Sequence, residues 1–566
     1  SPVRCQISRW QDVANTTSVT ENTMQAACGL MSVHGRASGK VQALGGDYIS
    51  TLTSVLALQG GIAGAIGQLR GLNISDSHVS MSAAGLLSMG QYIAGATAEE
   101  MPEKLLPDNI KHPRCPPFVS KDGVIFELET LSPEPWQKFW AEIGVTSLLA
   151  GKGWNAFLLR YAKAMSPVPD ELTQAIAEFD YDIIKAIGSA TRVSVCPVRT
   201  LAERAKDDDT RQAWQQGAWG FQFGSQIIET PFNALNGDLP LSGLTVIESC
   251  RRIQGPLAGH MLALLGANVI RLEPIGGDPL RGMPPMAEGC SARFDALNRL
   301  KTIREVNIKS QEGKDEIYGL VETADVFLHN WAPDKAAELK LDHQDFKKIN
   351  PALIYAYASG WTSAGQTPEA LKSIPGTDFT TQAYSGIASK VAKNSGTNGG
   401  SLFTILDVLG GVVASQGISI ALLNRCLNKV GANVSTSLLS TATLLSADDL
   451  DRHYHDKAPK TPSLINDVFP TEQGKLAIEC VDAVQAEKLI QTLKINSAVS
   501  DENFITTVST ALLAKTASEW NEIFAAAGIA TSVAIEDLKT LHDVPNFQTQ
   551  LPKGAYTQVT SPWRFK

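Results

Sequence analysis

The chain has no CxxC motif: its eight cysteines, at positions 5, 28, 115, 196, 250, 290, 426 and 480, all stand far apart. That removes the spacing of a structural zinc site. Several of the thiols lie inside apolar segments and read as reduced core residues of an intracellular protein. A positive balance is missing too. The net charge is −9 with acids and bases interspersed, which argues against nucleic acid as the main partner. There is no charged–apolar–small leader and no unbroken apolar run of ~18 residues. The terminal WRFK does not match a peroxisomal address. The expectation is a cytoplasmic protein with no membrane partner. HGRASGKV (34–41) has only three residues between its glycines, so it is not a phosphate loop. HYHD (453–456) offers two histidines without further ligands, so no metal is expected.

What is present is a chain of 566 residues, enough for roughly three to four domains. It repeats itself. ENTMQAACGLMSVHG (21–35) lies over DFTTQAYSGIASKVA (378–392), so Glu21 falls on Asp378. GGDYISTLTSVLALQGGIAGAIGQLRG then lies over LFTILDVLGGVVASQGISIALLNRC. This match puts Asp47 on Asp407, with a loop about three residues longer in the second copy. HVSMSAAGLLSM (78–89) lies over NVSTSLLSTATL (433–444). Two weaker matches follow in the same order, PPFVSKDGVIFELE with NDVFPTEQGKLAIE, and GSATRVSVCPVRTLAE with AGIATSVAIEDLKTLH. The chain thus divides into a first module (1–235), an intervening segment (240–359) without counterpart, and a second module (360–566). ETPFNALNGDLPLSG (229–243), rich in Pro, Gly and Asn, is the expected linker.

The intervening segment alternates in the α/β manner. GLTVIES, NVIRLEP, KTIREVNI, ADVFLHN and PALIYAYASG read as strands, with the apolar helix GPLAGHMLALLGA after the first. Such alternation implies a parallel, doubly wound sheet whose ligands bind beyond the carboxyl ends of its strands. Arg251 and Arg252 follow the first strand, Arg271 ends the second, and Lys301 lies in LNRLKT. They suit a phosphorylated nucleotide or are solvated surface charge. GxGxxG is absent after the first strand, which disfavours NAD. Asp407 and Asp47 each head an apolar run, where a carboxylate is either a helix cap or a shielded nucleophile or base.

These blocks resemble family III CoA-transferases. The resemblance rests on LSGLTVIESCRRIQGPLAGHMLALLGANVIRLEP, GGDPLR, LNRLKTIREVNI, ADVFLHNWAP and NPALIYAYASGW. It covers about 240–566 as a near-complete member and about 15–235 as a partial one, a fused form with an incomplete first copy. The implied fold is α/β, a Rossmann-like doubly wound large domain plus a duplicated smaller α/β module. Asp407 sits where the family has its nucleophilic aspartate, with Asp47 as its weaker counterpart in the first copy. Asp378 stands in the block where some members carry a second carboxylate. Arg271, Lys301 and Asn330 stand where members contact the CoA nucleotide, and Arg251, Arg252 and Ile253 where they approach the thioester arm. Racemases of this kind carry a histidine just before that second acid, whereas this chain has Thr377.

The implied activity is movement of CoA from an acyl-CoA thioester to a small carboxylic acid through an aspartyl anhydride and an aspartyl-CoA thioester. No metal takes part, and coenzyme A enters as substrate. The alternatives are an isomerase, racemase or lyase acting on an acyl-CoA, and a first module that is only a scaffold. The assembly is a homodimer or a pseudo-dimeric single chain.

Overall fold

Strands buried on both faces of a parallel sheet are apolar almost throughout, and TVIES, NVIRLE, VFLH and IYAYAS lie together at the centre of one. The computed structural model describes residues 2–103, 116–229, 234–362, 371, 374–395 and 397–566. Cys115 and residues 230–233 of the expected linker lie outside them. The largest sheet has seven strands in the spatial order Thr302–Glu305, Asn268–Glu273, Thr245–Ser249, Val326–His329, Ile354–Ser359, Ala432–Ser437 and Trp219–Phe223. The first six are parallel, with Val246 set between Val269 and Val326. The seventh runs antiparallel along Ala432–Ser437. All five strands expected in 240–359 are present. The sheet reaches beyond that segment, taking one strand from each flanking region.

Two long helices, Tyr48–Leu69 and Ile405–Asn428, cross beside this sheet. By length and composition alone both could span a membrane, which their broken apolar runs did not suggest. Here they are largely buried against each other. Gln59 donates to the Ser415 and Ser419 hydroxyls at 2.6 and 3.2 Å, and Gln416 donates to the Val55 carbonyl at 2.9 Å. Small residues allow close approach to other elements. A Cβ on Gly411 would stand 2.7 Å from the Gln254 carbonyl oxygen, and one on Gly60 2.2 Å from Ser77 Oγ. The glycines after Asp407 therefore serve packing against the helix Gln254–Leu264.

One continuous apolar core runs from Trp10 to Trp563 and draws on all three sequence segments. Strand Arg564–Phe565 pairs with Asp76–Ser80, which also pairs with Arg4–Ser8. Two smaller three-stranded sheets keep cores of their own. One comprises Phe118–Val119, Ile125–Glu129 and Ser194–Pro197, the other Ile465–Pro470, Lys475–Cys480 and Ala530–Val533.

Candidate functional site

A helix leaves its first amides without partners, and the second long helix meets this need with a side chain from elsewhere. Its N-cap residue, Thr404, makes no side-chain capping bond. Instead Asp378 Oδ2 accepts from the Leu406 and Asp407 amides, both at 2.7 Å. Asp378 Oδ1 accepts from Gln382 Nε2 at 2.5 Å, and Gln382 in turn accepts from the Ser401 amide at 2.9 Å. Asp378 is thus buried and fully engaged as a cap. Burial and the nearby Asp407 charge push its carboxyl up, against the pull of these donors.

The first long helix repeats the device. Glu21 accepts from the Ile49 and Ser50 amides, each at 2.8 Å, and from Gln25 Nε2 at 2.8 Å. Gln25 accepts from the Leu44 amide at 2.9 Å. Both short helices beneath begin with a threonine capping box, at Thr20 and Thr377. These bonds set the register. Glu21 with Asp378, Gln25 with Gln382 and Leu44 with Ser401 share one sequence offset, and the offset needs no longer loop. It places Ser50 opposite Asp407 and Asp47 opposite Thr404. The expected equivalence of Asp47 and Asp407 is therefore corrected by three residues. Ser50 Oγ donates to Glu21 Oε2 at 2.6 Å. Asp47 is half exposed and paired with Lys460 at 2.9 Å.

Asp407 differs from every acid around it: its carboxylate accepts no hydrogen bond from a described residue. The residue keeps a partly open face, yet desolvation dominates and raises its carboxyl above the ordinary range. Arg252 draws it back down, and Glu129 pushes it further up.

Glu129 comes from the first segment, and sequence reasoning missed it. Arg160 Nη2 stands 3.0 Å from Glu129 Oε2, Thr377 Oγ1 donates to the same oxygen at 2.7 Å, and Tyr161 donates its hydroxyl to Oε1. Arg160 also meets Glu127 at 2.5 Å. Burial carries Glu127 to about 7, with Arg160 acting the other way. In IFELE the two acids alternate with Phe126 and Leu128, the signature of a solvated strand face. Only Arg160, some thirty residues on, hinted that this face is covered.

The large sheet contributes the turn after Thr245–Ser249. Arg251 and Arg252 are exposed there. Arg252 has φ +69°, a region costing a non-glycine residue on the order of 1–3 kcal/mol. Its guanidinium lies 5.7 Å from the Tyr161 ring centre. Asn330 clamps this turn, accepting from the Arg251 amide at 2.9 Å and donating to the Arg251 carbonyl at 2.8 Å. Its amide therefore positions backbone, where a nucleotide contact was expected. Ile253 and Val408, the neighbours of Arg252 and Asp407, line a small open cleft with Leu257, His260 and Tyr556.

Arg271 and Lys301 require a correction. Arg271 is buried and paired with Glu248 at 2.6 Å, Glu273 at 3.1 Å and Asp278 at 2.8 Å. Lys301 is enclosed, meeting Glu248 at 2.6 Å and the Pro256 carbonyl at 2.7 Å. Burial lowers its ammonium to about 8 although Glu248 opposes this. Neither cation is free to meet a phosphate. Two strand acids, Glu248 in TVIES and Glu273 in NVIRLE, were the unread sign of this buried network. Among the described residues no group of three or more His, Cys, Asp or Glu side chains could hold a metal.

The model of CoA-transferase family III matches residues 3–216 and 241–564, two stretches as in a fused form. A succinate–glutarate CoA-transferase of Agrobacterium fabrum is 30% identical over 282 residues, covering 47% of this chain and 70% of that protein. A probable fatty acyl-CoA transferase of Mycobacterium tuberculosis is 28% identical over 370 residues, 58% of this chain and 92% of that one. A crystal structure of a CAIB/BAIF family protein from Brucella suis, 25% identical, superposes with a TM-score of 0.50 over 58% of this chain and 93% of that chain.

Proposed function

The chain belongs to CoA-transferase family III, and from that premise we propose that it transfers CoA between an acyl-CoA thioester and a carboxylic acid, with Asp407 as nucleophile. One observation carries this reading. Among the acids clustered here, Asp378 and Glu129 are saturated with donors, whereas Asp407 is partly open and has none.

A carboxylate oxygen of Asp407 attacks the thioester carbonyl. The C–S bond breaks, CoA leaves as thiolate, and an acyl–aspartyl anhydride remains. The thiolate then attacks the aspartyl carbonyl, releasing the donor acid as carboxylate and leaving an aspartyl-CoA thioester. The acceptor carboxylate attacks that carbonyl and expels the thiolate. The thiolate finally takes the acyl group from the new anhydride and frees Asp407. Each exchange balances without a proton. Partial burial suits this chemistry, because an anhydride is lost to water.

On this reading the large sheet is a Rossmann-like CoA-binding unit, and the cleft beside Ile253 and Val408 takes the thioester arm. The two modules are copies of one unit. The first does more than support the second, since it brings Glu129, Arg160 and Tyr161 to the nucleophile. Racemisation by two bases is disfavoured. Where it needs an imidazole, Thr377 offers a hydroxyl that already donates to Glu129.

Quenching the protein with an acyl-CoA and mapping the CoA adduct by mass spectrometry tests the assignment. An adduct on the Asp407 peptide, absent in Asp407→Asn, is expected. Full transfer activity in Asp407→Asn would contradict it.

A further inference from the structure

This inference rests on the transfer reading and deepens it by naming the acid. Most cations near the site are committed. Arg160, Arg271 and Lys301 are buried, each against carboxylates. Arg252 is exposed and has no salt bridge to any described residue. Its cation stands over the Tyr161 ring and within electrostatic reach of Asp407. Its root is rigid. Asn330 holds the preceding residue by two hydrogen bonds, and the helix Gln254–Leu264 starts two residues later. The turn keeps a strained, left-handed backbone at this residue, and no described carboxylate forms an ion pair with its side chain.

The thioester of a monocarboxylic acid brings no acyl charge up to Asp407. The thioester of a dicarboxylic acid brings one carboxylate, toward Asp407, Asp378 and Glu129. That approach is repulsive unless a cation meets it. A guanidinium on a fixed turn, with an aromatic face beside it, is suited to bind such a carboxylate in the paired fashion. We infer that Arg252 is the specificity-determining residue that receives the free carboxylate of a dicarboxylic acyl group, so that the substrates are short dicarboxylic acids and their CoA half-thioesters.

Adduct formation needs no acceptor, so single-turnover labelling with succinyl-CoA and with butyryl-CoA separates the possibilities. These thioesters differ in one terminal carboxylate. The intact protein should label faster with succinyl-CoA. Arg252→Met should lower that rate about 10- to 100-fold further than it lowers the butyryl rate, the worth of a charge-assisted hydrogen bond. Arg252→Gly, which suits the backbone, should lose the same preference, and Arg252→Lys should recover part of it. Equal losses with both thioesters would mean that Arg252 acts on Asp407, and would overturn the inference. So would unchanged rates, or no preference in the intact protein. Labelling by neither thioester in the intact protein would defeat the transfer reading itself, and this inference with it.

Discussion

Two buried helices start under the same carboxylate device, and they differ in what the device leaves free. Glu21 caps Ile49 and Ser50 and takes the Ser50 hydroxyl as well. Asp378 caps Leu406 and Asp407, and a second carboxylate stands at the position of that hydroxyl. A serine closes the first head on its own cap. An ionised aspartate cannot donate to its cap, and Asp407 is left partly open and without a hydrogen bond from a described residue. The cap is a feature of architecture common to both heads, and the proposed chemistry belongs to the residue beside it.

The contrast breaks most visibly when the second head is made like the first. Asp407→Ser should lower transfer by roughly 10⁴-fold or more, as for a lost nucleophile, while Ser50→Ala stays within about 2-fold in steady-state assays. Removing the caps sharpens the shared part. Glu21→Ala and Asp378→Ala each leave two helix-start amides without a partner. Each should cost about 2–3 kcal/mol by urea unfolding, with activity falling further in Asp378→Ala.

A smaller effect is pH-dependent. Burial raises the Asp407 carboxyl, so the folded state holds that proton more tightly than the unfolded chain does. Stability from this group is complete below the unfolded value near ~3.9 and is lost as pH rises through the raised, folded value. Asp407→Asn should therefore be more stable than its parent at pH 8, on the order of 1 kcal/mol, and should show no gain at pH 4. The acid limb of kcat/KM should likewise lie above the ordinary carboxylate range. The smallest effect belongs to the residue that the sequence pattern matched to Asp407. Lys460→Ala frees the half-exposed Asp47 and should change stability by about 0.5 kcal/mol or less, without altering transfer.

The parallel strands were legible because a strand covered on both faces has no polar alternation. Their two additional neighbours, Ala432–Ser437 and Trp219–Phe223, were not, since pairing across sequence segments leaves no local mark. Asp407 was singled out from the sequence, but its counterpart was misplaced by three residues. Matching acid to acid is a weaker guide than matching hydrogen-bond partners: Leu44 and Ser401, whose amides donate to Gln25 and Gln382, fix the register. Glu129 was hidden because its alternation looks solvated until Arg160 and Thr377 cover it. Arg271 and Lys301 were read as contacts for the CoA nucleotide, because their partners Glu248 and Glu273 lie one strand away or two residues along.

The central claim is that one of the two helix heads is a nucleophile and the other only a cap. Peptide-level mass spectrometry of the acyl-CoA-quenched protein tests it most directly. The account predicts one CoA adduct per chain, on the peptide containing Asp407. An adduct on the peptide containing Asp47 and Ser50, or an active protein that carries none, would contradict it.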